Sequence, residues 1–137
     1  MSKRPLPAPL VFGPLPVDGI NVVLGLELEE GDVVMSGRAQ IHAARYHPDD
    51  YSRLQPHVSS VVINPLYVGD DFKNPGKIEL VGRIPALDEH ILVAVNIEMD
   101  DNGNYNVASF YPVSEGKVNN RRQSRHLHIL KRKKADN

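Results

Sequence analysis

The clearest hydrophobic pattern lies in the last third of the chain. "KIELVGRI" (77–84) alternates apolar and polar residues, and "HILVAVNIEM" (90–99) is a longer apolar run. "YNVASFYPV" (105–113) alternates again after "DDNGN", whose Asn-Gly pair is a hairpin turn signal. These runs predict an antiparallel meander. In strict alternation Tyr105, Val107, Ser109 and Tyr111 share one face, with Asn106, Ala108 and Phe110 on the other. The basic stretch "KVNNRRQSRHLHIL" (117–130) is expected to supply a last strand.

Upstream the pattern changes. "NVVLGLEL" (21–28) and "DVVMS" (32–36) are short β-branched runs joined by "EEG", which predicts a hairpin or two successive edge strands. "GRAQIHAARYHP" (37–48) has helix-forming residues and ends at Pro48. Asp49 and Asp50 suit the start of a second helix running towards Val62, which Pro56 divides into two short pieces. "LYVGDDFKNPG" (66–76) reads as a loop. The fold class is therefore α+β, with N-terminal strands and short helices packed on one face of an antiparallel β-meander. Residues 1–16 form a proline-rich extended segment, 17–130 the domain, and 131–137 a basic C-terminal tail.

Composition narrows the chemistry. With 137 residues the chain fits one domain, and with no cysteine it has neither disulfides nor a thiolate nucleophile or ligand. No apolar run approaches the ~20 residues that span a bilayer, so no membrane partner is expected. The start, "MSKRPLPAPLVFGPLP", does not read as a signal peptide. The formal charge of −1 hides an asymmetry. Residues 1–116 hold 8 Lys+Arg against 16 Asp+Glu, whereas 117–137 hold 8 basic residues against Asp136 alone. Such a basic end is either a solvated tail or a footprint for a polyanion.

Two histidines in "HAARYHP" (42–48) draw attention. On a helix His42 and His47 lie about 140° apart, so they converge only if the helix ends near His47 and the chain turns. They lack the spacing of a zincin helix. His126 and His128 in "HLH" share a strand face but have no evident third ligand, so a metal is not expected and no cofactor is implied. Ser109 and Tyr111 deliver a hydroxyl and a phenol side by side, either as a half-buried strand face or as phosphate ligands. Lys77 and Glu79 share a face of their own strand.

The succession "VVMSGRAQIHAARYHP", "VINPLYVGDDFKNPGKIELV", "HILVAVNIE" and "YNVASFYPVSEGKV" resembles the phage-associated branch of the barnase–EndoU–colicin–RelE superfamily of nucleases over about residues 20–118. The resemblance implies metal-independent cleavage of RNA, tRNA among the candidates, by 2′-OH attack. It implies a phage-borne effector or toxin domain acting in the cytoplasm. His42 and His47 match the helix histidines, Lys77 and Glu79 the charged strand, and Ser109 and Tyr111 the late strand pair. Arg45, Arg121, Arg122, Arg125, Lys131 and Arg132 are the expected RNA contacts, and an immunity protein or host target is a further candidate partner. Pro56 and the highly basic end depart from the family pattern. A non-catalytic RNA- or protein-binding module and a phage morphogenetic component are the rival readings.

Overall fold

A computed structural model describes residues 5–71 and 74–130. They form a seven-stranded sheet in the order β1-β2-β6-β5-β4-β3-β7 with five α-helices, an α+β fold. The strands are β1 (Leu10–Pro14), β2 (Asp32–Met35), β3 (Tyr67–Asp70), β4 (Lys77–Ile84), β5 (Glu89–Asn96), β6 (Tyr105–Val113) and β7 (Leu127–Ile129). The helices are α1 (Val17–Leu24), α2 (Gly37–Tyr46), α3 (Pro48–Leu54), α4 (Val58–Ile63) and α5 (Glu115–Gln123). The meander β3-β4-β5-β6 is antiparallel throughout, and only β2 with β6 runs parallel.

Strands β5 and β6 pair as their alternation predicts, through a turn in which Gly103 takes a positive φ of 76°. Asp100 organises that turn. Its carboxylate accepts from the Asn102 and Asn104 amides at 2.9 and 3.0 Å and from the Asn106 side chain at 3.0 Å. These donors, Asn106 first, hold the Asp100 carboxyl below its usual range.

The sequence reading needs correction in five places. Residues 21–28 are not a strand: Val17 and Ile20 are buried one turn apart, so the run to Leu24 closes as α1 and ends at Gly25 with a left-handed φ of 67°. The first half of the 66–76 loop is strand β3, whose Val68 is buried between β4 and β7. The stretch 117–130 supplies its expected last strand, β7, only at its end, and its first half is helix α5. The sheet also begins inside the proline-rich segment, where β1 pairs with β2.

Fifth, the helices do not share one face. Leu54 of α3, Val58, Val61 and Val62 of α4, and Ile20 of α1 pack on Ile78, Leu80, Ile91, Val93 and Val95 in the main core. Val118 of α5 instead joins Val81, Leu92, Ala94, Val113 and Leu127 in a smaller core on the opposite face. Alternation makes both cores, since successive residues of β4 and β5 point to opposite sides.

The expected helices over 37–62 are present. Ser36 caps α2 by accepting from the Ala39 amide at 3.1 Å. The helix stops at Tyr46, His47 takes a non-helical conformation, and Pro48 opens α3. Pro56 falls in a 3-10 turn, Gln55–His57, that divides α3 from α4. Arg53 ties α3 to the sheet through Glu89.

Candidate active site

Strand β2 is short, and this creates a groove. It pairs with β6 only at Val33–Tyr105 and Val34–Asn106 before Ser36 caps α2 and the chain leaves the sheet. Beyond that point β6 has a helix beside it instead of a strand. A cavity of about 420 Å³ lies between them, lined by Arg38, Ala39, His42, Ala43 and His47 on one side and by Ala108, Ser109 and Phe110 on the other. Tyr51 closes one wall, its ring 5.8 Å from that of Phe110.

The two histidines reach this groove by different routes. His42 projects from the last turns of α2, where its ring lies 4.6 Å from that of Tyr46. His47 is carried round by the break between α2 and α3, where its amide still donates to the Ala43 carbonyl at 2.9 Å. The early helix end at Pro48 thus brings both imidazoles to one cavity. Arg38, four residues before His42 and on the same side of α2, joins them. That spacing was readable in the sequence and is the signal for a residue the sequence reading did not select.

Ser109 and Tyr111 are placed by a β-bulge. Ala94 pairs with Ser109 but Val95 pairs with Val107, leaving Ala108 as the extra residue. The bulge reverses the alternation: Tyr105 and Val107 face the main core, while Ser109 and Tyr111 turn to the opposite face. The expected four-residue face is therefore split in two. Ser109 borders the histidine groove, and Tyr111 lies two residues further along the same strand.

On that second face Glu79, Ala94 and Ser109 form one row across the strands, and Val81, Leu92 and Tyr111 the next. Neighbouring strands are about 4.8 Å apart, which separates Glu79 from Ser109 by roughly 10 Å. Glu79 is buried and pairs with Arg121 of α5 at 2.7 Å, and the His126 ring nitrogen lies 3.7 Å from the same carboxylate oxygen. The Tyr111 phenol is pushed up chiefly by burial and then by Glu79, while Arg121 pulls it down.

The candidate residues therefore form two groups. His42, His47 and Ser109 share the groove, while Glu79, paired with Arg121, and Tyr111 lie in adjacent rows of the second sheet face. Lys77 follows Glu79's face by alternation, one row beyond it, and so lies two strands away from the groove. Arg45 is exposed in the last turn of α2. Arg122 sits over the Tyr67 ring at 4.8 Å, and Arg125 is exposed at a positive φ of 63°. Lys131 and Arg132 lie outside the described residues. His128 is in β7 opposite Val68, and among the described residues no three His, Asp or Glu side chains are grouped so as to hold a metal ion. No helix of the described residues is long and apolar enough to cross a membrane.

No curated protein and no solved structure matched the chain. The sequence does match the family described as phage-Barnase-EndoU-ColicinE5/D-RelE like nuclease3 over residues 12–120, a span that holds α2, the groove and the whole meander and stops just short of Arg121. On that match, which covers most of its length, the chain belongs to this family of nucleases.

Proposed function

We propose that the protein is a metal-independent endoribonuclease whose reaction takes place in the groove between α2 and β6. The observation that carries this reading is the lining of one cavity by His42, His47 and Ser109. Cleavage by transphosphorylation needs a base to take the ribose 2′-OH proton and an acid to protonate the departing 5′ oxygen. Histidine performs both near neutral pH, and two imidazoles across one cavity supply the pair. The 2′ oxygen attacks phosphorus, the P–O5′ bond breaks, and a 2′,3′-cyclic phosphate remains on the upstream fragment.

Arg38, on the groove wall, faces the negative charge that builds on the phosphorane. Ser109 hydrogen-bonds a non-bridging oxygen, and Tyr111, further along β6, contacts the phosphate or stacks on a base. Glu79 is buried beneath Arg121 and takes no part in proton transfer. Arg122 and Arg125 lie on or just beyond α5, and Arg45 at the end of α2, as phosphate contacts outside the groove. Such a nuclease acts in the cytoplasm on host RNA, tRNA among the candidates, as a phage-borne effector or toxin, and an immunity protein that covers the groove would silence it.

The test is incubation of the purified protein with total tRNA in EDTA, with end-group analysis of the fragments. Cyclic phosphate ends are expected. His42→Ala should lower the rate by roughly 10²-fold or more, the usual scale of an acid–base contribution, with its thermal melt unchanged because the side chain is exposed. Wild-type protein that leaves all RNA intact, or a His42→Ala protein that cuts at the wild-type rate, would overturn the proposal.

A further inference from the structure

Strand β7 ends the sheet, and α5 leaves part of it open. Leu127 is buried with Val118 of α5 in the second core, but Ile129, two residues on and on the same side, is 56% exposed. A trough of about 600 Å³ lies between the two elements. Leu127, His128 and Ile129 line it from β7, and Asn119, Arg122 and Gln123 from the helix. These three helical residues fall at i, i+3 and i+4, on one face of α5.

Arg122 is held in place there. Its guanidinium lies over the Tyr67 ring at 4.8 Å and donates to the Tyr67 hydroxyl at 3.3 Å. Tyr67 is opposite Ile129 in the β3–β7 register and packs against the second core. A bond to one phenol uses a single donor of the planar fork, so most of its N–H groups are left for an anion.

The lining joins a fixed cation, two side-chain amides, an imidazole and two aliphatic side chains, with no carboxylate among the described residues. A nucleotide presents the complement: an anionic phosphate, a base edge of mixed donors and acceptors, and a flat apolar base face. Asn119 and Gln123 carry both donors and acceptors and so match the edge, while Leu127 and Ile129 match the face. The volume falls in the range of about 300–1,000 Å³ usual for small-ligand sites. By contrast the larger cavity beside α1, about 1480 Å³, is lined by Asp18, Glu30 and Asp32, whose charges repel a phosphate.

We propose that the trough between α5 and β7 is a nucleotide-binding subsite that captures one unpaired nucleotide of an RNA at a distance from the reacting bond. Arg122 takes the phosphate, Asn119 and Gln123 read the base edge, and Ile129 packs on the base face. In the sheet order β7 is four strands from β6, which sets the subsite roughly 19 Å from the histidine groove. One RNA strand fills both only if several nucleotides lie between them, which selects long or looped RNA over dinucleotides. This deepens the ribonuclease reading and rests on it for the effect on cleavage, whereas the binding itself does not.

Amide NMR spectra of the full chain, titrated in turn with AMP, GMP, CMP, UMP and inorganic phosphate, test the subsite without any cleavage. At least one nucleotide should give saturable shifts of the Arg122, Gln123 and Ile129 amides, and phosphate alone much smaller ones. Arg122→Ala and Ile129→Asp should each weaken this binding about tenfold, the scale of losing one base contact, and leave the responses of Ala43 and Ser109 in the groove unaltered. Both side chains are exposed, so the fold should survive, and the dispersion of the same spectra reports it. If Ile129→Asp unfolds the edge strand, Arg122→Ala carries the decision. With total tRNA as substrate, Arg122→Ala should raise KM about tenfold and leave kcat unchanged. No saturable shift in this segment with any of the nucleotides, or shifts matched by phosphate alone, would overturn the subsite whatever the activity. An unchanged KM would overturn its part in capturing RNA. Saturable shifts in a wild-type protein that leaves RNA intact would uphold the subsite and overturn the ribonuclease reading alone.

Discussion

Arg125 shows how one residue can carry a conformational cost for the sake of its neighbours. It is one of two non-glycine residues at positive φ among those described, and its conformation closes the turn that carries Arg121 and His126 to Glu79. For an L-residue the left-handed region costs about 1–2 kcal/mol, whereas glycine enters it freely but gives up more chain entropy on folding. Arg125→Gly is therefore expected to leave stability unchanged or raise it by up to ~1 kcal/mol in urea unfolding. Its single charge lies on the exposed side of the turn, so RNA affinity should fall slightly and cleavage should persist. A loss of stability larger than 1 kcal/mol would mean that the arginine side chain, and not the turn, holds this corner. The importance of the turn was not legible in the sequence. "QSRHL" contains no glycine to mark a left-handed cap, and Arg121 reads there as one more member of a basic run.

At the scale of elements, α2 is anchored by its entry as much as by its core face. A Cβ on Gly37 would lie 2.1 Å from the Pro7 carbonyl oxygen, because the N-terminal segment crosses the start of the helix there. Gln40, buried one turn on, donates to the Ala8 and Met35 carbonyls at 2.8 and 3.2 Å and fastens that crossing. Gly37→Ala should therefore cost about 1–3 kcal/mol, the usual penalty for overfilling a packed contact, despite alanine's better helix propensity. A more stable Gly37→Ala protein would show that residues 5–9 give way readily. The helix and the meander were legible because period and turn chemistry agreed: Ser36 and Pro48 bound α2, and Asn102-Gly103 joins β5 to β6. Helix α1 was not, since its run of β-branched residues is decided by burial against the sheet and not by propensity. The split of Ser109 and Tyr111 from Val107 was also hidden, because a bulge of one residue leaves the apolar pattern of β6 almost unchanged.

Over the whole molecule, charge is divided along the chain. The basic residues of α5 and the turn after it, Lys117, Arg121, Arg122 and Arg125, border the sheet face that carries Tyr111, and the tail beyond residue 130 adds Lys131, Arg132, Lys133 and Lys134. The two basic groups differ in kind. Residues 119–130 cannot be removed as an RNA-binding extension, because α5 buries Val118 and β7 pairs with β3, so a deletion from 119 would expose the second core. The cut that isolates electrostatics falls after Leu130, which packs in the main core. Each phosphate neutralised on a single strand contributes about −0.7 to the slope of log K against log salt. A chain ending at residue 130 loses four bases, so its slope should flatten by as much as about 3 if all four engage RNA, with the melting temperature nearly unchanged. An intact slope would confine the nucleic-acid footprint to α5, the α2 end and the groove. The same chain should still cut a short oligonucleotide at the wild-type kcat, since no residue placed in the groove lies beyond 130. A fall in kcat would instead make the tail part of the site.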